Sequence, residues 1–431
     1  MLDRSDMSQK AGISGAGAKG LGPFGYIKIT LFGFALTALW QSLHTIILPI
    51  RLLDFVAEPE KNTYLGLLTF TGLILAMAVQ PIAGAISDRS GFSWGRRRPY
   101  ILLGTVLVLL FLSGIGLAGS FVILFATYCL LQISSNTAQG PYQAFIPELV
   151  PQKRRGLASG VKSLLEILGG VALLYPIAIF LDNYSAGEGS PWLWLALLVL
   201  GVTLLGIMAA TLLLVKEPPA TGGPRQSLLA TLYKPFKINI RANRNFIWFL
   251  ASRLLVFMAF ATIQQFALNF LSDVIGVASP AKATAQFSII AVAAMLAVVY
   301  PAGRLSDRIG RKPIALTSGL LAALGIAIIF IFQSYSSVIL AAVIIGVALG
   351  AFTSTNWALA TDMATKGEEA RYLGLANMAT AGGAALARLI GPVIDFFNKF
   401  DAGLGYQVML LACFVYFVAG ALLVLKIKGR H

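Results

Sequence analysis

Long apolar runs alternate with short polar ones from residue 27 almost to the C-terminus. A bilayer core about 30 Å thick takes roughly 20 apolar residues of helix to cross. Breaking the runs at charge, Pro and Gly clusters predicts twelve such spans, at 27–50, 62–86, 98–118, 121–145, 157–181, 192–215, 245–271, 282–304, 312–333, 336–360, 371–395 and 405–427. The pattern is that of an all-α polytopic membrane protein. Segment 216–244 has the Pro, Gly and basic content of a linker and divides the spans six and six. The expected organisation is a six-helix bundle over 27–215, a linker with a short amphipathic helix near "SLLATLYKPF" lying on the membrane surface, and a second six-helix bundle over 245–427. Residues 1–26 read as a disordered cytoplasmic tail and 428–431 as a second tail; the first apolar run is too long for a signal-peptide core.

The two halves echo each other. "SDRSGFSWGRRRP" follows the second span and "SDRIGRKP" the eighth, with Asp88 and Asp307 219 residues apart, and "RRGLAS" before the fifth span is matched by "RYLGLAN" before the eleventh. A repeat at this period implies duplicated bundles related by an axis along the membrane normal, with a path for solute between them.

Composition agrees with the pattern: of 431 residues 57% are hydrophobic and only 12% charged, too few to cover soluble domains. The net charge of +15 does not indicate nucleic acid, because the basic residues sit between apolar runs and not on one soluble face. With the N-terminus cytoplasmic, 26 of the 33 Lys and Arg fall on the cytoplasmic side, while Arg51, Lys61, Lys282 and Lys399 fall outside. That asymmetry predicts a multi-pass protein of the plasma membrane with both termini cytoplasmic. Two cysteines and two histidines exclude a disulfide framework and a His/Cys metal cluster. No nucleophile with a positioned base and no P-loop is present, so neither an enzyme nor a cofactor is expected.

Three stretches, "SDRSGFSWGRRRPYI" (87–101), "SSNTAQGPYQAFIPEL" (134–149) and "SDRIGRKP", resemble the major facilitator superfamily and, within it, the glycoside-pentoside-hexuronide and sucrose-transporter-like group that includes the SLC45 carriers. The resemblance implies the major facilitator fold and secondary transport by alternating access of a sugar or glycoside, often with a proton. It departs at one point. The acid and base that form the coupling pair in such relatives stand here as the neutral Gln132 and Gln143.

A charged group deep in a span needs a partner or an aqueous cavity. Glu166 lies about nine residues, roughly 13 Å, into the fifth span; it reads either as a protonatable coupling carboxylate or as an ion pair with Lys162 or Arg253. Arg253 and Arg388 read as donors to a substrate or as interhelical ties. Trp40, Gln41, His44 and Thr45 in the first span present an aromatic face beside hydrogen-bonding groups, as a polyol requires; the alternative is a lipid-facing Trp40 and an interfacial His44. Gln132, Asn136, Gln139 and Gln143 recur at spacings of four, three and four, one polar stripe on an apolar helix, facing a cavity or gluing helices. Gln264, Gln265 and Asn269, and Asn356 with Trp357, are further candidates. Neighbours on a helix are about 100° apart, so at least one of Gln264 and Gln265 should point elsewhere.

In the loops, Asp88 with Arg89, Arg96, Arg97 and Arg98, mirrored by Asp307, Arg308 and Arg311, and with Glu148 and Asp362 as partners, is expected to act as a cytoplasmic gate. The expected function is a monomeric carrier for a neutral disaccharide or glycoside, with or without a proton. The alternatives are a non-transporting pigment-delivery or assembly factor of the same fold, and an exporter of an amphipathic small molecule.

Overall fold

The computed structural model describes residues 23–217, 243–363 and 369–427. Most of the expected N-terminal tail, the linker with its surface helix, and the tail at 428–431 lie outside the described residues. Among those described, twelve helices are long and apolar enough to cross a membrane: α1 (Phe24–Leu52), α2 (Glu58–Asp88), α3 (Arg98–Leu117), α4 (Phe121–Leu149), α5 (Arg155–Ser185), α6 (Pro191–Leu214), α7 (Arg244–Asp273), α8 (Pro280–Ile309), α9 (Arg311–Ile331), α10 (Tyr335–Met363), α11 (Tyr372–Asn398) and α12 (Leu404–Lys426). The face at which α1 begins and α12 ends is termed the near face, the opposite one the far face.

The duplication read from the loops is visible in the packing. In the first half α1 packs on α5 and α6, α4 on α2 and α3, and α3 on α6; in the second, α7 packs on α11 and α12, α10 on α8 and α9, and α9 on α12. Each neighbour relation recurs six helices later. The result is two six-helix bundles of one topology.

Three helix breaks stand just before prolines, each of which lacks the N–H that would bond to a carbonyl one turn earlier. In α1, Pro49 follows a π-turn over Leu43–Ile47, in which the Leu48 N–H bonds to the Leu43 carbonyl. In α5, Pro176 follows an interruption at Leu173. In α11, Pro392 follows a 3₁₀ turn at Arg388–Ile390. Distorted turns of this kind present side chains and carbonyls that a straight helix would hide.

The halves meet toward the far face. The far segment of α5 (Leu174–Ser185) lies against α8, and the far segment of α11 (Gly391–Asn398) against α2. At the second crossing the backbones nearly touch: a Cβ on Gly391 would stand 2.1 Å from the Asn62 carbonyl oxygen, and one on Gly66 2.3 Å from that of Arg388. Only glycine permits this approach. By contrast the near-face parts of α2 and α5 bury few residues, and Leu157 and Ile86 are exposed. The bundle pair is open at the near face and closed at the far one.

Gly391→Val should therefore lower thermal stability in detergent by about 1–3 kcal/mol, the usual range for overpacking. Gly206→Val, at a position with open space around the added atom, should not. Equal melting temperatures for the two variants would show that the α2–α11 crossing is not tight.

Candidate functional site

Where the halves part, a cavity of about 120 Å³ is lined by Thr37, Trp40, Gln41, His44 and Thr45 of α1, Gln264 and Gln265 of α7, and Arg388 of α11. Closed ligand pockets run to roughly 300–1,000 Å³, so this is the apex of the cleft and not the whole of it. A larger cavity, about 970 Å³, lies at the near-face rim of the second half around Arg244, Trp248 and Lys312, away from the interface.

The apex is built by the two helix breaks. Pro49 cannot donate to the His44 carbonyl, and Gln265 reaches across from the other half, its Nε2 donating to that oxygen at 3.4 Å. The π-turn carries the His44 ring onto Trp40, stacked at 5.1 Å between centroids. Gln132 Nε2 donates to Tyr128 Oη at 2.9 Å, which leaves the Tyr128 hydroxyl proton free for His44 Nε2, also at 2.9 Å. Trp40 Nε1 donates to Ser135 Oγ at 3.0 Å, and Gln41 Nε2 to Thr45 Oγ1 at 3.0 Å. From the opposite wall the 3₁₀ turn of α11 presents Arg388, 8% exposed, whose guanidinium donates to the Ala384 carbonyl.

Two buried atoms here have no protein partner: Arg388 Nε, a donor, and Gln265 Oε1, an acceptor. Buried polar atoms are seldom left so. Both Gln264 and Gln265 line the cavity, Gln264 exposed at its rim and Gln265 buried, so the expectation that one would turn away does not hold.

The other expected residues stand behind or beside this apex. Gln132 and Asn136 are buried in a second layer, with Asn136 Nδ2 donating to the Gln132 carbonyl at 2.8 Å. Gln139 is half-buried and Gln143 exposed, further along the same stripe. Arg253 does not line the cavity: its Nε donates to the Ala376 carbonyl at 3.0 Å and Thr380 Oγ1 at 2.8 Å, its Nη1 to Asn356 Oδ1, and it lies over the rings of Phe257 and Trp357. That is the environment of an interhelical tie between α7, α10 and α11. Glu166 is 3.4 Å from Lys162 one turn earlier, and packs against Gly33 of α1.

The charged loops form one cluster in each half. Arg97, its side chain 4% exposed, bonds to both Asp88 and Glu148, while Arg96 reaches Glu148 at 2.7 Å. Burial alone would lower the Arg97 pKa, but the Glu148 and Asp88 carboxylates beside it raise it above the ordinary guanidinium value. Glu217, just past α6, accepts from the backbone N–H groups of Arg97 and Arg98 at 2.9 and 3.0 Å and so caps α3. The second half repeats the arrangement, with Arg311 2.9 Å from Asp362 and 3.7 Å from Asp307. Arg308 is exposed beside it. In this conformation these ion pairs stay within their own halves.

Beyond the Gln265 bond to the His44 carbonyl, the side-chain bonds between halves lie at the far face, and apart from Asn269 they fall on residues that the sequence does not single out as site candidates. Lys61 Nζ is 2.7 Å from Asp273. Asn62 donates to Asp395 at 2.8 Å and to Tyr406 Oη at 3.1 Å, and accepts from Asn269 at 2.8 Å. Asp182 accepts from the N–H groups of Ala281 and Lys282 at 3.0 and 3.1 Å. Arg51, counted only as an outside charge, is buried and binds the carbonyls of Ile115, Gly116 and Ala118, closing the end of α3.

The profile of MFS/sugar transport proteins matches residues 33–427. The chain belongs to this family. Among curated relatives, the sucrose transport protein SUT1 of Oryza sativa subsp. japonica is 29% identical over 143 residues, covering 28% of this chain and 25% of that protein. The matched part thus spans about a quarter of its length. The uncharacterized symporter YnaJ of Bacillus subtilis (strain 168) is 25% identical over 357 residues, 77% of this chain and 70% of that one. Among solved structures the nucleoside transporter NupG superposes with a TM-score of 0.73 at 14% identity, covering 94% of this chain and 99% of NupG. That likeness confirms the major facilitator fold in a multi-pass membrane protein.

In this family member the near-face cluster of the first half turns on Arg97. Replacing Arg97 with Gln leaves Glu148, its side chain 23% exposed, and the more exposed Asp88 without their shared partner. The cost should be about 1–3 kcal/mol, below that of a fully buried pair because Asp88 is solvated. Thermal unfolding in detergent should show Arg97→Gln melting several degrees lower and Arg96→Gln close to the unsubstituted protein. Equal melting temperatures for the two would remove Arg97 as the centre of the cluster.

Proposed function

We propose that this protein is a secondary carrier of the plasma membrane that moves a sugar, a disaccharide or glycoside, by alternating access. The observation that carries the reading is the pair of unpartnered buried atoms at the apex, Arg388 Nε and Gln265 Oε1. They supply a donor and an acceptor, contributed by the second half, facing the Trp40–His44 stack of the first. A sugar hydroxyl both gives and takes a hydrogen bond, and its ring stacks on an aromatic face. Binding there bridges both halves, which lets solute affinity bias their relative orientation. SUT1, a sucrose transport protein by name, supports the same class of solute.

The excess of Lys and Arg at the near face supports a cytoplasmic position for that face and for both termini. The described conformation is then inward-open, and the Asp88–Arg97–Glu148 and Asp307–Arg311–Asp362 clusters are poised to meet across the near face in the outward-open state. Glu166 is the carboxylate assigned to coupling, held by Lys162 beside the helix that carries Trp40 and His44. The apex lining of amides, hydroxyls, imidazole and guanidinium, with one aromatic ring and no Met, disfavours an exporter of amphipathic compounds. It equally disfavours a helper that moves nothing.

Uptake of labelled sugars into proteoliposomes tests this. At least one disaccharide or glycoside should equilibrate faster than into empty vesicles, and Arg388→Gln should slow it by about tenfold or more, the equivalent of about 1.4 kcal/mol. Glu166→Gln should abolish accumulation driven by a pH gradient while sparing exchange. No sugar entering beyond the empty-vesicle rate would overturn the transport reading. Gradient-driven accumulation unchanged in Glu166→Gln would overturn the coupling role alone.

A further inference from the structure

Two far-face carboxylates make the same bond in opposite directions. Asp182 lies three residues before the last residue of the far segment of α5, and Asp395 three before the last of the far segment of α11. Both are buried, at 8% and 4% exposure. Asp182 accepts from the N–H groups of Ala281 and Lys282, in the first turn of α8, in the other half. Asp395 accepts from the N–H of Thr63 at 2.6 Å and from the Asn62 side chain, in the first α-helical turn of α2, which begins at Lys61 after a 3₁₀ turn over Glu58–Glu60, again in the other half. The 219-residue spacing that relates Asp88 to Asp307 also relates Thr63 to Lys282. The recipients are therefore equivalent positions of the repeat, and the bonds run crosswise.

We propose that Asp182 and Asp395 are reciprocal latches: each half closes the far face by inserting a carboxylate onto the helix N-terminus of its partner. The first N–H groups of a helix have no acceptor within it, and they carry partial positive charge. A carboxylate satisfies both needs at once. When the far face opens, those N–H groups and both carboxylates pass to water, so the latch holds by exchanging partners and leaves no buried charge stranded. Neither latch depends on the solute. Asp395 is seconded by the Lys61–Asp273 pair and by the Asn62–Asn269 bond, which tie the start of α2 to α7 in the other half, whereas among the described residues no other bond joins the first turn of α8 to the far segment of α5. Asp182 is the more exposed to single loss.

Distance measurements between spin labels, in the full chain with Cys129 and Cys413 replaced, test this without any transported sugar. One pair sits on the exposed far-face residues Glu188 and Lys399, a second on the near-face residues Gly91 and Arg308, each pair bridging the halves. Asp182→Ala with Asp395→Ala should lengthen the far-face distance and shorten the near-face one, with Asp182→Ala alone giving a part of both shifts. Distances in the double variant that match the unsubstituted protein would overturn the proposal. So would far-face lengthening without near-face shortening, which signals local fraying. If the double variant does not fold, a cysteine pair at Asp182 and Ala281 replaces it. Oxidation should join the two and hold the far-face label pair at its short distance; two cysteines that react singly with maleimide yet never form a disulfide would refute the contact.

Discussion

A polar group carried into hydrocarbon must find its partner inside the protein, and this one constraint sorts nearly every charged and amide side chain of the molecule. Arg253 is absorbed by a carbonyl, a hydroxyl, an amide and two aromatic rings, Arg51 by the carbonyls that end α3, and Asn62 by residues from three helices of the other half. Arg388 Nε and Gln265 Oε1 are among the few buried polar atoms of the described residues left without a protein partner, and they are the two of that group whose residues line the cavity between the halves. The apex is where the constraint is released, and a solute able to complete those bonds has a reason to bind there.

Helix breaks and the repeat together explain why the release occurs at that level. Pro49 and Pro392 each cost a backbone bond, one in α1 and one in α11, and both breaks face the interface. One frees the His44 carbonyl for Gln265. The other turns Arg388 inward and lays its carbonyl against Gly66. Toward the far face the two helix pairs that cross between halves, α5 with α8 and α2 with α11, are tied by carboxylates, and the second pair is also drawn close by Gly66 and Gly391. Toward the near face the charges bond within each half. A rocking motion about the apex then trades one set of contacts for the other without unfolding either bundle.

Much of this was legible in the sequence, because span length, loop charge and the "SDR…GR" repeat each report on one segment at a time. The predicted spans 27–50 and 62–86 fall inside α1 and α2, and the two-bundle fold followed from the repeat. Gln41, His44, Gln264 and Arg388 were singled out as polar groups in apolar helices, and the structure gathers these four at one cavity. The same rule gave Arg253, yet periodicity cannot say that Asn356, 103 residues away, would occupy it. The amide stripe of α4 was correctly seen as a face, but which neighbour it faces is a tertiary fact: Gln132 and Asn136 support Tyr128 and His44 from behind. Asp182, Asp395 and Asn62 sit at span ends, where a polar residue is ordinary. Only their pairing across the halves makes them informative, and no local pattern encodes it.

Alternating access requires the apex to lie on a path open to each face in turn. The direct measurement is the reaction of a cysteine at Gln41, in a background lacking Cys129 and Cys413, with a membrane-impermeant thiol reagent applied to one face or the other of oriented vesicles. Modification is expected from the near face and, more slowly, from the far face. Modification from the near face alone, however long the exposure, would make the cavity a blind crevice and contradict alternating access.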